Sequence, residues 1–266
     1  MNTVLLAERI REDCVIATNK ARASHIGPML SIADILAVLY GEVLRQNKKG
    51  DDVFYDKFIL SKGHAGCAVY SVLAELGVLN KEELLATYYQ DGSKYSGHVS
   101  SRRNKGVEFS TGSLGQGVCV AVGYALARKM DKSDAKVFTL VGNGECNEGS
   151  VWEAAMLAAS QKLSNFTIIV DDNRMQCMGA SKDIIDMSNM AERFSAFGFD
   201  TIEIDGHNHK QIKLALTKKH DKPLAIIAHT VKGKGVKMME NNNDYHAKYV
   251  ADDELEGVLA ELRGNL

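Results

Sequence analysis

Past residue 113 the chain settles into a regular alternation of apolar runs and amphipathic stretches. The runs at 136–141, 166–171, 201–205 and 224–230 read as strands, and the stretches at 114–129, 150–160, 188–197 and 208–219 carry helical spacing. Strands alternating with helices predict an α/β fold: a parallel sheet with helices on both faces, its ligands lying beyond the carboxyl ends of the strands. Upstream, Val4, Leu5, Ala7, Ile10, Cys14 and Ile16 predict a helix over 3–20. "LSIADILAVLYGEVL" predicts another over 30–44, with Ser31 as a candidate cap. "DKFILS" reads as a short strand, "HAGCAVYSVLAEL" as a helix closed by Gly77, and a further helix is expected near 81–89. From Gly92 to Gly112 periodicity fades into a long loop, and loops of that length in a compact domain are usually functional or disordered.

At 266 residues and 45% hydrophobic, the chain can bury a full core. Pro28 and Pro223 are its two prolines, and no Ser/Gly-rich or charged linker interrupts it, so a single domain over 1–266 is expected. The 32 basic and 34 acidic residues give a formal charge of −2, which offers no electrostatic case for nucleic acid or an anionic membrane. Small-molecule chemistry is the better expectation. Cys14, Cys67, Cys119, Cys146 and Cys177 have no CxxC spacing and are odd in number, which argues against a disulfide framework or a zinc site. The N-terminus lacks a signal peptide's unbroken apolar segment, and no later run approaches membrane-spanning length. A soluble, cytoplasmic protein with reduced thiols is the expectation.

Chemistry concentrates at two strand ends. "LVGNGECNEGSVWEAA" (140–155) runs from strand through a glycine loop into a helix, a junction that turns backbone N–H groups and a positive helix end toward an anion. Thirty residues past Asn143, the strand "FTIIV" ends in "DDNRMQ" with Asn173. Amide and carboxylate oxygens gather there: Asn143 and Asn173, with Glu145, Glu148, Asp171 and Asp172 nearby. Oxygen donors at this density suit a hard cation such as Mg²⁺ or Ca²⁺ bridging phosphate oxygens.

At this point the sequence resembles the N-terminal, diphosphate-binding half of transketolase-type, thiamine-diphosphate-dependent enzymes. The resemblance rests on "SHIGPMLSIADILAVLY", "DKFILSKGHAGCAVYSVL", "SGHVS", "GVEFSTGSLGQGVCVAVGYALA", "LVGNGECNEGSVWEAAMLAA", "IIVDDNRMQCMG", "IDGHNH" and "HTVKGKGVKMMENNNDYHAK". These stretches keep the family's order from about residue 20 to about 248. It implies the family's diphosphate-binding domain, with thiamine diphosphate and Mg²⁺ as cofactors, Ca²⁺ or Mn²⁺ being alternatives. In full-length transketolases a pyrimidine-binding domain and a C-terminal domain follow this half, and the pyrimidine domain supplies the glutamate that meets the aminopyrimidine. A separate partner subunit carrying that domain is therefore expected, in an α2β2 assembly.

The resemblance also implies residue roles. Asn143 and Asn173 match the metal-binding side chains and Met175 the backbone carbonyl ligand. Where the family pattern is Gly-Asp-Gly this chain has Gly142, Asn143 and Gly144, which keeps an oxygen ligand and loses its charge. His25, His64, His98 and His246 match active-site positions: His25 and His246 for proton transfer at substrate oxygens, His64 and His98 for holding the donor's hydroxyls. Gly112, Ser113 and Leu114 match the loop against the cofactor, where Cys177, His64 and His246 are also expected, and Glu148 matches a glutamate at the contact between halves. "KGKGVK" (232–237) matches a segment that folds over the cofactor. Lys62, Arg102, Arg103 and Lys105 are candidates for an anionic tail on the substrate. His207, His209 and His220 read as surface residues, with Asn208 capping a helix.

The leading expectation is a transketolase subunit that moves a two-carbon ketol unit from a ketose or its phosphate to an aldose or its phosphate. Decarboxylative carboligation of a 2-oxo acid is a second enzyme reading. A scaffold subunit weakened in metal binding through Asn143 is a reading of another class. A Rossmann-type nucleotide binder fits poorly, because "GNGECNEG" lacks the G-x-G-x-x-G spacing.

Overall fold

The computed structural model describes residues 1–47 and 52–264; the last two positions of the expected 1–266 span lie outside them. Five strands form one sheet: β1 (Lys57–Leu60), β2 (Val137–Gly142), β3 (Phe166–Asp172), β4 (Asp200–Asp205) and β5 (Leu224–His229). Their order is β1-β2-β3-β5-β4 and every pairing is parallel. Alternate side chains leave opposite faces of a strand, and both faces here are apolar. On one face Phe138, Leu140, Ile169 and Ile226 meet α1 (Thr3–Ala21), α2 (Ile26–Ser31), α3 (Ala33–Val38), α4 (Gly66–Glu75), α5 (Lys81–Thr87), α10 (His209–Thr217) and α11 (Leu255–Gly264). On the other, Val137, Val141, Ile168, Val170 and Ile227 meet α6 (Gln116–Met130), α7 (Gly149–Ser160) and α9 (Met190–Ala196). A short helix, α8, spans Ser181–Ile184.

The first part of the chain departs from the expected 30–44 helix. α2 already begins at Ile26, with Pro28 in its first turn, where a missing N–H costs no helical bond. Ile32 (φ −103°, ψ 0°) separates it from α3, and Leu39–Val43 widens into a π turn closed by Leu44 N donating to Leu39 O at 2.8 Å. Ser31 is therefore no cap: it is buried at the end of α2, and its hydroxyl donates to Asp171 Oδ2 at 2.8 Å. α11, with Val258, Leu259 and Leu262 buried, was not anticipated from the sequence. Gly77 at φ +71° and Asn208, whose Oδ1 accepts from Lys210 N and Gln211 N, end and begin their helices as expected.

The 92–112 loop is held in detail. Gly63 O accepts from Val99 N at 2.9 Å, Val99 O from Thr111 N at 3.1 Å, and the Tyr70 hydroxyl from Ser100 N at 2.7 Å. Glycine is required at 63 and 66 for this: a Cβ on Gly63 would run into the Thr111 backbone, and one on Gly66 would lie 2.5 Å from Val99 N. The loop is thus pressed onto the turn before α4, which brings His98 toward His64.

Candidate active site

Parallel pairing places the ends of β2 and β3 side by side, Gly142 opposite Asp171, with Asn143 N donating to Asp171 O at 3.1 Å. The two asparagines singled out in the sequence thereby share one recess. A cleft of about 310 Å³ opens there, within the range of small-molecule sites. Of the expected residues it is lined by His25, Lys62, His64, His98, Gly112, Leu114, Gly142, Asn143, Gly144, Glu145, Asn173, Met175, Cys177 and His246. Ser113 and Glu148 are exposed and do not line it; Glu148 sits at the N-cap position of α7 and makes no capping bond.

The four imidazoles come from four segments and converge. The His25 centroid lies 5.3 Å from His64, 5.7 Å from His98 and 5.1 Å from His246, and His64 lies 5.6 Å from His246. A backbone bond, His25 N to His246 O at 2.9 Å, ties the first to the last. Among the described residues none of the four pairs with a carboxylate. Burial, helped by the neighbouring His98 and by Lys62 and Lys232, lowers His25 to about 4. Burial and then Lys232 lower His246 to about 3, and burial with Lys62 pushes His64 well below its ordinary value. All three are neutral at pH 7. His246 Nδ1 and Gln176 Nε2 are buried without a hydrogen-bond partner.

At the other end the side chains are tightly held. Asp171 is fully buried and accepts from Ser31, from Lys62 Nζ at 2.5 Å, from Asn173 Nδ2 at 3.1 Å and from Thr230. A carboxylate only accepts, so the Asn173 nitrogen must face it, which sends the amide oxygen to the other side, where Met175 N donates to it at 3.1 Å. Asn143 Nδ2 donates to Ser181 Oγ at 2.5 Å, so its oxygen likewise faces away.

Three expectations change in the structure. The N–H groups of Gly142 and Gly115 do not await an anion: Glu145 Oε2 accepts from the first at 3.1 Å and Oε1 from the second at 2.9 Å, with Ser61 donating to Oε1 at 2.5 Å. Burial still raises the Glu145 carboxyl against those bonds. Lys62 is not a loop cation free for substrate; it is buried and paired to Asp171. Arg102, Arg103 and Lys105 are exposed and lie outside the cleft lining.

His207 and His209, read as surface residues, are mostly covered and clamp Asp34 of α3. His207 Nδ1 is 2.7 Å from Asp34 Oδ2, His209 Nε2 is 3.0 Å from Oδ1, and Arg11 donates to Oδ2 at 2.5 Å. Burial would raise the Asp34 carboxyl, but Arg11 and the two rings hold it well below the usual range. His220 is half-buried with Nδ1 2.5 Å from Lys222 O, so it too is less exposed than expected.

The 232–237 stretch, matched in sequence to a segment over the cofactor, reaches the cleft through Lys232, which the sequence did not single out as a wall. Lys232 is buried, with Nζ donating to Asn243 Oδ1 at 2.7 Å, and burial followed by Lys62 lowers it to about 8. Such burial is unusual for a lysine in a Lys-Gly-Lys-Gly stretch, and it comes from the packing of 232 against Gly27. A larger cavity of about 590 Å³ shares only Asn143 with the cleft and holds His229 between Asp172 and Glu203; none of the four clustered imidazoles lines it.

Residues 3–263 match the model of the transketolase, thiamine diphosphate binding domain family. The chain belongs to the transketolase family. One of the subunits of the apulose-4-phosphate transketolase of Phocaeicola vulgatus is 37% identical over 264 residues, covering 97% of this chain and 92% of that protein. A 6-deoxy-6-sulfo-D-fructose transketolase subunit of a Clostridium species is 35% identical over 260 residues, covering 96% and 94%. Among solved structures, the transketolase of Campylobacter jejuni superposes with a TM-score of 0.88 at 32% identity, covering 100% of this chain and 43% of that one. This chain thus corresponds to the N-terminal, thiamine-diphosphate-binding part of a transketolase and spans less than half of the solved enzyme, whereas it spans nearly all of each subunit.

Proposed function

We propose that residues 1–266 form one diphosphate-binding domain and act as the N-terminal subunit of a two-chain transketolase. The subunit holds the metal–diphosphate end of thiamine diphosphate and half of a channel in which a two-carbon ketol unit passes from a ketose to an aldose. The observation that carries this reading is the juxtaposition, in one cleft, of carboxylate-free imidazoles with two amide oxygens at adjacent strand ends.

The donor set fits a hard cation: Asn143 Oδ1, Asn173 Oδ1 and the Met175 carbonyl are oxygens, and the two amide nitrogens are already committed to Ser181 and Asp171. Mg²⁺ is the metal this set suits, and Lys232, on the cleft wall, would add a cation for the diphosphate. Among the described residues no group of three or more His, Cys, Asp or Glu is arranged to hold a metal, so the protein contributes little charge to such an ion. When bound, thiamine diphosphate supplies the thiazolium carbon that carries the two-carbon unit. His25 and His246, neutral at pH 7, accept a proton from a substrate hydroxyl and return one to a carbonyl oxygen. His64 and His98 hold the donor's hydroxyls, and the packed 98–111 loop keeps them in place.

Gly112, Ser113 and Glu148 lie exposed at the rim and are assigned to contact with a partner subunit bearing the pyrimidine-binding domain, in an α2β2 assembly. The names of the two-chain relatives carry sugars with a phosphate or a sulfonate. Because Lys62 is spent on Asp171 and the 102–105 cations lie off the cleft, we assign recognition of an anionic tail to the partner. Five unbridged cysteines and the lack, among the described residues, of a helix long and apolar enough to cross a membrane support placement in the cytoplasm.

The deciding experiment titrates thiamine diphosphate and Mg²⁺ into this chain alone and with its co-expressed partner, then assays ketol transfer. Saturable cofactor binding with transfer only in the presence of the partner is expected. Full activity of the isolated chain would sink the two-chain account, and no saturable cofactor binding even with the partner present would favour a scaffold role. Carbon dioxide release from pyruvate in place of ketol transfer would point to carboligation.

A further inference from the structure

His207 does not line the cleft, yet it touches the segment that does. Its Nε2 lies 2.8 Å from Val231 N, and that backbone N–H can only donate. Nε2 therefore carries no proton, and Nδ1 donates to Asp34 Oδ2 at 2.7 Å. Asp34 is in turn held by Arg11 and His209, so the ring has one orientation and one tautomer. The chain leaves β5 just before this point. Thr230 N donates to Asp172 O at 3.2 Å and Gly233 N to Gly27 O at 3.1 Å, both backbone acceptors, whereas Val231 N relies on a side chain. The residue between these anchors, Lys232, is buried at 1% exposure and faces the cleft, and Asn241 N donates to its carbonyl at 2.9 Å.

We infer that His207, oriented by Asp34, is a positioning residue: through its bond to Val231 N it sets the backbone that aims Lys232 at the diphosphate of thiamine diphosphate. The inference rests on the functional reading above. A half-buried N–H deprived of its acceptor is costly, and the segment relieves that cost by shifting toward water or another acceptor, which carries Lys232 with it. Length of side chain then separates two conservative variants. His207→Gln places an amide oxygen where Nε2 stood and keeps an acceptor for Val231. His207→Asn reaches Asp34 but leaves Val231 N without one.

The test is calorimetric titration of thiamine diphosphate, with Mg²⁺ present, into this chain co-expressed with its partner. Wild type, His207→Gln, His207→Asn, Lys232→Met and the His207→Asn/Lys232→Met pair are compared. We expect His207→Asn to raise Kd about tenfold, His207→Gln less than about threefold, and the added effect of His207→Asn to vanish in the Lys232→Met background. The inference is overturned when His207→Asn binds like wild type, when both variants lose affinity alike, or when the two losses multiply in the double variant. Should His207→Asn fail to fold, His207→Met, apolar and of similar reach, asks the same question. Wild type that binds no thiamine diphosphate overturns the functional reading itself, whereas a binding wild type leaves the variants to decide this inference alone.

Discussion

Two groups of histidines in this molecule differ in what faces their ring nitrogens. His207 and His209 meet Asp34, and His229 lies between Asp172 and Glu203. His25, His64, His98 and His246 meet one another, and among the described residues no carboxylate pairs with them. A carboxylate fixes a ring's tautomer and favours its proton, which makes such a histidine a fastener. Buried among one another with Lys62 and Lys232 beside them, the His25, His64 and His246 rings are held neutral, which leaves a lone pair and a proton on each. The chemistry of a histidine is set here by its neighbours across the fold, and those neighbours separate tie from tool.

The sharpest way to break this contrast is to remove one member from each group. Asp34→Ala leaves the buried Arg11 with Glu8 as its remaining carboxylate, removes the acceptor of two rings, and is expected to cost about 3–5 kcal/mol in denaturant unfolding. His246→Ala is expected to lower kcat by about a hundredfold or more while leaving the melting temperature nearly unchanged. If His246→Ala unfolds the protein while Asp34→Ala spares it, the division is inverted.

Acid comes next. The clustered rings have folded values of about 4 for His25 and about 3 for His246 against an ordinary 6.5. Between those limits the unfolded chain binds protons that the native chain refuses, so stability is full above about pH 6.5 and falls as pH drops toward 4, by at most about 1.4 kcal/mol per pH unit for each ring. Urea midpoints followed from pH about 7 to pH about 5 should decline in wild type. The decline should flatten in a His25→Gln/His246→Gln variant, and an unchanged slope there would assign the acid sensitivity to other groups.

A smaller effect probes the amide-lined end of the cleft. Asn143→Asp restores a charge beside the expected ion, and the Ser181 hydroxyl can donate to the new carboxylate. The Mg²⁺ concentration for half-maximal cofactor binding should fall about tenfold. No tightening would mean that position 143 does not touch the ion. Least of all is expected from Arg102→Ala and Arg103→Ala, which should leave the preference between charged and uncharged ketoses unchanged; a selective loss on charged sugars would return these exposed side chains to the site.

Much of the fold was legible because sheet and helices announce themselves locally. β2, β3 and β5 are continuous apolar runs, and Gly77 and Asn208 are terminators whose chemistry acts within a few residues. Where reading failed, the cause was distant. Ser31 resembles a cap until Asp171, 140 residues away, claims its hydroxyl, and His207 resembles a surface residue until Asp34, 173 residues away, accepts its proton. Glu145 likewise looked like one more acid near a metal, yet it serves as the acceptor that joins the 115 loop to the end of β2. α11 is a different failure, since Leu255, Val258, Leu259 and Leu262 already have helical spacing. At the site, the motifs named the imidazoles and asparagines, but neither the depressed basicity of the rings nor the burial of Lys232 can be read from one dimension.

The convergence of His25, His64, His98 and His246 from almost the entire length of the chain has a further consequence. A nascent or partly folded polypeptide holds these rings far apart, and tertiary closure, with His25 N donating to the carbonyl of His246, brings them into company. Whatever chemistry the cluster performs is thus withheld from every folding species in which these four segments have not met.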